Sequence, residues 1–226
     1  ELTGTWEDYW AGRDGHFRGN VRRGERKLRT GGDVQSVRYR PRGESHGDAD
    51  PRWDLYDKCV DVAAKSWQGS STTGTTMSHE AIRKFLRDAH SAAVRAGAVD
   101  VNLLLLDGRP AAFMYNYHYQ GHVSGLRMGF DANISRDGAG NVLVQSLVRD
   151  SYERGDRVFD LGPGYEPYKR HWRTSLVSSY RYSYFAPTAL RAQALHIKRR
   201  VWGWIGDRRQ ALSTRSQRTA GSPRYA

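Results

Sequence analysis

The residues best equipped for chemistry lie between Gly129 and Trp172, in the run GFDANISRDGAGNVLVQSLVRDSYERGDRVFDLGPGYEPYKRHW. Ser135-Arg136-Asp137-Gly138-Ala139-Gly140 stands between a strand pattern and the start of a helix pattern. Glycines there let backbone N–H groups approach a ligand closely, and the positive end of a helix favours an anion such as a pyrophosphate. Arg136, Gly138, Ala139, Gly140 and Asn141 are therefore the candidate cofactor-binding residues. Further on, Phe159-Asp160-Leu161-Gly162-Pro163-Gly164 puts an acid at the end of a short strand, before a glycine-rich turn. Tyr165, Tyr168 and Lys169 follow at one-turn spacing and are able to face one cleft. Gly162 and Gly164 would also suit a plain turn, and Asp160 a helix cap.

Other side chains are weaker candidates. Tyr115, Tyr117 and Tyr119 alternate along one strand pattern, where most tyrosines pack with a wet hydroxyl. His118 and His122 flank Gln120-Gly121 but lack a third ligand, so a metal pair there is the minor reading. Cys59 is the single cysteine, which excludes an intrachain disulfide and a cysteine zinc cage. No Gly-x-Ser-x-Gly elbow occurs, so serine hydrolase chemistry has no support.

The elements that must position these residues follow from periodicity. Residues 16–30 read as a basic helix stopped by Gly31-Gly32, and Val34 to Arg40 as a strand. Asp50-Pro51 opens a helix running to about Trp67. Ser78-His79-Glu80 opens another, with Ile82, Phe85, Leu86, Ala89, Ala92 and Ala93 on its apolar face. Val99 to Leu106, Pro110 to Tyr119 and Val123 to Phe130 then alternate as strands, joined by turns at Asp107-Gly108 and Gln120-Gly121. Ala139 to Arg154 is a helix, Val158 to Leu161 a short strand, and Ser175 to Phe185 a longer aromatic-rich one. This order predicts an α/β fold with a mixed, mostly antiparallel central sheet flanked by helices.

The chain has 226 residues and a formal net charge of +12, with 38% hydrophobic and 12% aromatic residues. That is too apolar for a disordered chain, and no apolar run nears the ~20 residues that cross a bilayer. The charge is uneven: residues 187–226 hold nine basic side chains against Asp207 alone. Within that tail Leu190, Ala194, Ile197, Val201, Trp204 and Ile205 trace a helical stripe. It reads first as a helix packed on its own domain or a symmetry mate, and otherwise as a peripheral contact with an anionic inner membrane face. A body over 1–186, a basic tail over 187–226 and a cytoplasmic location are the expectations.

Three stretches resemble the Gcn5-related N-acyltransferase (GNAT) fold, specifically the domain of CelD/BcsL-like and FemAB-like acyltransferases. They are the basic helix with Arg22-Arg23 and Arg26, the hairpin Leu105-Leu106-Asp107-Gly108-Arg109-Pro110-Ala111-Ala112, and the closing run FDLGPGYEPYKRHW. The loop Arg136-Asp137-Gly138-Ala139-Gly140 is one residue shorter than that fold's usual cofactor loop. The resemblance implies acyl transfer to an amine of a sugar, peptide or cell-envelope or exopolysaccharide intermediate, with acyl-CoA as donor and no metal. It implies catalytic roles for Asp160, Tyr168 and Lys169, and substrate contacts from Tyr115, Tyr117, His118, Tyr165, Glu166, Arg22 and Arg26. The alternatives are a FemAB-like transferase using aminoacyl-tRNA, whose phosphates would meet the basic helix, and a non-catalytic module scaffolding a polysaccharide-synthesis complex.

Overall fold

The computed structural model describes residues 1–70, 76–134, 138–163, 167–180 and 182–202. In chain order the elements are α1 (Trp6–Ala11), α2 (Gly15–Gly31), β1 (Val34–Tyr39), α3 (Trp53–Lys65), α4 (Glu80–Arg95), β2 (Val99–Leu106), β3 (Arg109–Tyr119), β4 (His122–Phe130), α5 (Ala139–Glu153), β5 (Val158–Asp160) and α6 (Lys169–Trp172). One sheet runs β1-β2-β3-β4-β5; the first four strands are antiparallel and β5 is parallel to β4. Both hairpin turns have two successive positive φ angles, 50° and 73° at Asp107-Gly108 and 46° and 72° at Gln120-Gly121. These are the angles whose twist matches that of the flanking strands.

Alternation sorts the sheet's side chains onto two faces. Val99, Val101, Leu103, Phe113 and Tyr115 pack against α3 and α4, while Leu104, Ala112 and Met114 pack with α1, α2 and α5. The second face also holds a buried ionic cluster. Arg38 donates from Nε and Nη2 to both oxygens of Asp100 at 2.9 and 2.7 Å, and from Nη1 to Asp150 at 2.6 Å. Arg40 grips Asp156 with two bonds of 3.0 Å. Burial alone would raise the Asp100 and Asp156 pKa values, but hydrogen bonds and charge from Arg38 and Arg40 hold both below the usual carboxylate range. Because Asp150 belongs to α5, the cluster fixes that helix against β1 and β2.

The structure changes several expectations. A short helix, α1, precedes the basic one; its Trp6, Tyr9 and Trp10 are buried in an aromatic group with Trp172 and Phe17. Helix α3 starts at Trp53, with Arg52 at the cap and Asp50 Oδ1 accepting from the Arg52 N–H, so Pro51 lies outside the first turn. On α4 the buried residues are His90 and Val94, and Phe85 is 68% exposed. The expected strand over Ser175 to Phe185 does not form among the described residues, and Tyr180, Tyr182 and Tyr184 are exposed.

The elements above lie in one compact unit, Glu1–Val177, and a second unit begins at Ser178. Within the second, residues 190–202 are helical, and Gln193 Nε2 donates to the carbonyls of Phe185 and Ala186. The stripe residues Leu190, Ile197 and Val201 are exposed in that unit. Trp204 and Ile205 lie outside the described residues.

Candidate active site

Strands β4 and β5 pair over only three positions, His122 to Ser124 against Val158 to Asp160. Past that point they part. The split occurs where two backbones touch: a side chain on Gly162 would meet the Gly125 carbonyl oxygen at 2.6 Å, and one on Gly125 the Asp160 carbonyl oxygen at 2.9 Å. Gly162 also has φ +80°, a conformation that L side chains rarely adopt. On its other edge β4 carries a bulge: Tyr115 faces Arg127 and Asn116 faces Gly125, leaving Leu126 as the extra residue. A bulge re-aims backbone groups next to it.

The split opens a cavity of about 780 Å³. Residues Gly125 to Phe130 of β4 form one wall, and Leu161, Gly162 and Pro163 with Tyr168 and Lys169 form the other. Gly138, Ala139, Gly140 and Asn141 contribute the first turn of α5. The amides of a helix's first turn have no acceptor within the helix, so this end of the cavity offers N–H groups and partial positive charge. Met114, Leu126 and Met128 make much of the remainder apolar.

The closing run is held from behind. Trp172 is buried, stacks on Trp10 with ring centroids 5.7 Å apart and meets Phe17 edge-on at 5.0 Å. Its indole Nε1 donates to Asn141 Oδ1 at 3.1 Å, which ties α6 to the start of α5. The Lys169 ammonium donates to the carbonyls of Gly162 and Pro163, each at 3.0 Å. Lys169 therefore braces the turn that forms the cavity wall.

Of the residues singled out by sequence, Gly138, Ala139, Gly140, Asn141, Tyr168 and Lys169 come together around the cavity. Asp160 does not line it; its carboxylate is exposed and accepts from the Gly162 N–H at 2.8 Å, an Asx-type turn. Tyr115 and Tyr117 belong to the opposite face, packed with α3 and α4. There the Tyr115 hydroxyl lies 2.9 Å from His90 Nδ1, while His90 Nε2 lies 2.6 Å from the Pro51 carbonyl. The carbonyl requires a donor, so Nε2 carries the proton and Tyr115 donates to Nδ1. His118 points to the other face, 3.4 Å from Asp156, and its pKa is lowered by burial and by Arg40. Arg22 and Arg26 are exposed on α2. Arg136, Tyr165 and Glu166 lie outside the described residues. Sequence reasoning missed Trp67, Gln68 and Thr76, which join the cavity from the α3–α4 connection.

The cavity can hold an extended molecule with an anionic end at α5 and an amide-bearing or apolar arm along β4. Residues 15–170 match the sequence profile of the family described as acetyltransferase (GNAT) domain. No curated protein matches the chain. Solved structures do, at low identity. The PaiA N-acetyltransferase of Thermoplasma acidophilum, in complex with coenzyme A, is 12% identical over 55% of this chain and 75% of that one, with a TM-score of 0.39. An aminoglycoside acetyltransferase from an uncultured soil metagenomic sample, in complex with sisomicin, is 12% identical over 68% and 95%, with a TM-score of 0.42. A GNAT family acetyltransferase of Staphylococcus aureus is 10% identical over 67% and 98%, with a TM-score of 0.43. Two other matched structures are longer, and the chain covers 47% and 41% of them. The profile match covers more than half of the sequence: the chain belongs to the acetyltransferase (GNAT) domain family and is an acyltransferase.

Proposed function

We propose that the protein moves an acyl group from acyl-CoA to an amine of a sugar, peptide or cell-envelope intermediate. The observation that carries this reading is the cavity between β4 and β5, which ends on the first turn of α5. Its shape and lining suit a donor with phosphates at one end and an amide-containing arm leading to a thioester.

In this reading the backbone amides of 138–141 bind the donor's pyrophosphate, with Asn141 kept in place by Trp172. The thioester lies near the Leu126 bulge, on an edge of β4 that β5 has left. Backbone N–H groups on that edge stabilise the oxyanion as the amine nitrogen attacks the carbonyl carbon. The nitrogen loses its proton to water and the carbon–sulfur bond breaks. The sulfur takes a proton from the Tyr168 hydroxyl, which recovers one from water. Asp160 and Lys169 act on the turn rather than on the substrate, through the Gly162 N–H and the Gly162 and Pro163 carbonyls.

The test is release of free thiol from acetyl-CoA and longer acyl-CoAs in the presence of amino sugars and peptide amines. Acceptor-dependent release is expected, with Tyr168→Phe about 100-fold slower, the usual scale for losing a general acid. Transfer from aminoacyl-tRNA alone would reassign the donor. Transfer from neither donor would leave the scaffolding role.

A further inference from the structure

Gln68 is 1% exposed and lines the cavity, yet only half of its carboxamide is used. Nε2 donates to the Met128 carbonyl at 2.8 Å, whereas Oε1 is buried with no partner among the described residues. The donation fixes the orientation, since a flipped amide would set two oxygens against each other. The side chain is held there by its local turn. Ser66 Oγ donates to the Ala63 carbonyl at 2.9 Å and accepts from the Gln68 N–H at 3.2 Å. A side chain on Gly69 would strike the Ala64 carbonyl oxygen at 2.1 Å. On the facing strand, one on Gly129 would meet Phe113 at 2.8 Å and Ser66 at 3.0 Å. Glycine at both positions lets the turn close onto β4 and carry Gln68 to the strand edge.

A buried carbonyl-type oxygen without a donor is costly, and few persist in native proteins. Here the residue that carries it lines the cavity, held at the Met128 carbonyl on the stretch of β4 between the bulge at Leu126 and the contact of Met128 with Gly140 at the start of α5. We infer that Gln68 is a substrate-binding residue whose Oε1 accepts a hydrogen bond from an N–H group of the reactants. Two N–H groups meet that description: an amide of the donor's pantetheine arm and the acceptor's amine. The inference rests on the acyl-CoA reading above and names a contact that the family-like motifs do not contain.

The experiment is Gln68→Met, which matches the side chain in size and removes both polar atoms, read by three measurements on the full chain. Melting of the free protein should stay close to the parent, because the lost bond to Met128 is offset by removal of the orphaned oxygen. Calorimetry with CoA reports the pantetheine source, and the KM for the amine at saturating acetyl-CoA reports the acceptor source. A loss of about 10-fold is expected in one of the two. Affinity and KM both within twofold of the parent would overturn the assignment, as would a drop in melting with ligand binding unchanged. A parent that binds no CoA would instead defeat the donor reading, a separate outcome. Should Gln68→Met fail to fold, crystals of the parent with acetyl-CoA decide: a ligand nitrogen within hydrogen-bond distance of Oε1 supports the contact, and a water there overturns it.

Discussion

Replacing Arg38 by methionine should lower the stability of the protein by about 3 kcal/mol or more, the scale for removing one partner of a buried ion pair. Arg38 is the cation that satisfies both oxygens of Asp100, whose side chain is fully buried, and it also holds Asp150. Arg40 remains 3.3 Å from Asp100 but is already committed to Asp156, so it compensates only in part. The same cluster sets a pH dependence. Asp100 and Asp156 have lowered pKa values, so their contribution is present above the ordinary aspartate value and lost as pH falls through the folded one. His90 and His118 are lowered mainly by burial, so the unfolded chain takes up protons first and stability declines once pH drops through about 6.5. Chemical denaturation at neutral and acidic pH measures both effects. A loss under 1 kcal/mol for Arg38→Met at neutral pH would show that the cluster does not hold α5 to the sheet.

Gly162→Val should abolish most acyl transfer. The residue stands where β5 leaves β4, with a positive φ and the Gly125 carbonyl 2.6 Å from where a Cβ would be. Backbone cannot swing aside as a flexible side chain can, so the added atoms must push the 161–163 turn away from β4. Strain at such a φ costs about 1–2 kcal/mol, and displacement of the turn also disturbs Tyr168 through the Lys169 brace. A misplacement of about 1 Å at a reacting centre is worth roughly 100-fold in rate. Turnover should fall by at least that factor while circular dichroism keeps the parent's helix and sheet signal. Activity within threefold of the parent would mean that the β4–β5 split does not set the reacting geometry.

The sheet was legible in the sequence because its signals are local. Asp107-Gly108 and Gln120-Gly121 announce turns that need two positive φ values, and alternation around them sets strand lengths to within a residue. The start of α5 was legible for the same reason, through its glycines, and one-turn spacing put Tyr168 and Lys169 together. Asp160, by contrast, caps the turn rather than lining the cavity. Alternation puts Tyr115 and Tyr117 on a shared face without saying which helices cover it, so their place against α3 and α4 was hidden. Phe85 fits a helical stripe, but α4 turns His90 and Val94 inward instead. Ser175 to Phe185 is aromatic-rich like a strand, yet a strand also needs a ladder partner, and composition cannot supply one. Gln68 carries no motif; only the closeness of its turn to β4, permitted by Gly69 and Gly129, gives it a role.

The central claim is that an acyl-CoA donor lies between β4 and β5 with its phosphates on the first turn of α5. The direct measurement is a calorimetric titration of CoA into the parent and into Gly140→Asp. Gly140 lines the cavity, and a Cβ there meets the flexible end of Met128 at 3.0 Å and the Phe130 ring at an ordinary 3.8 Å, so the variant should fold. Its carboxylate would repel the phosphates and crowd the amides they bind. The account predicts saturable binding at one CoA per chain for the parent, and an affinity at least 10-fold weaker, about 1.4 kcal/mol, for Gly140→Asp. No saturable heat with the parent, or equal affinity in the two proteins, would contradict it.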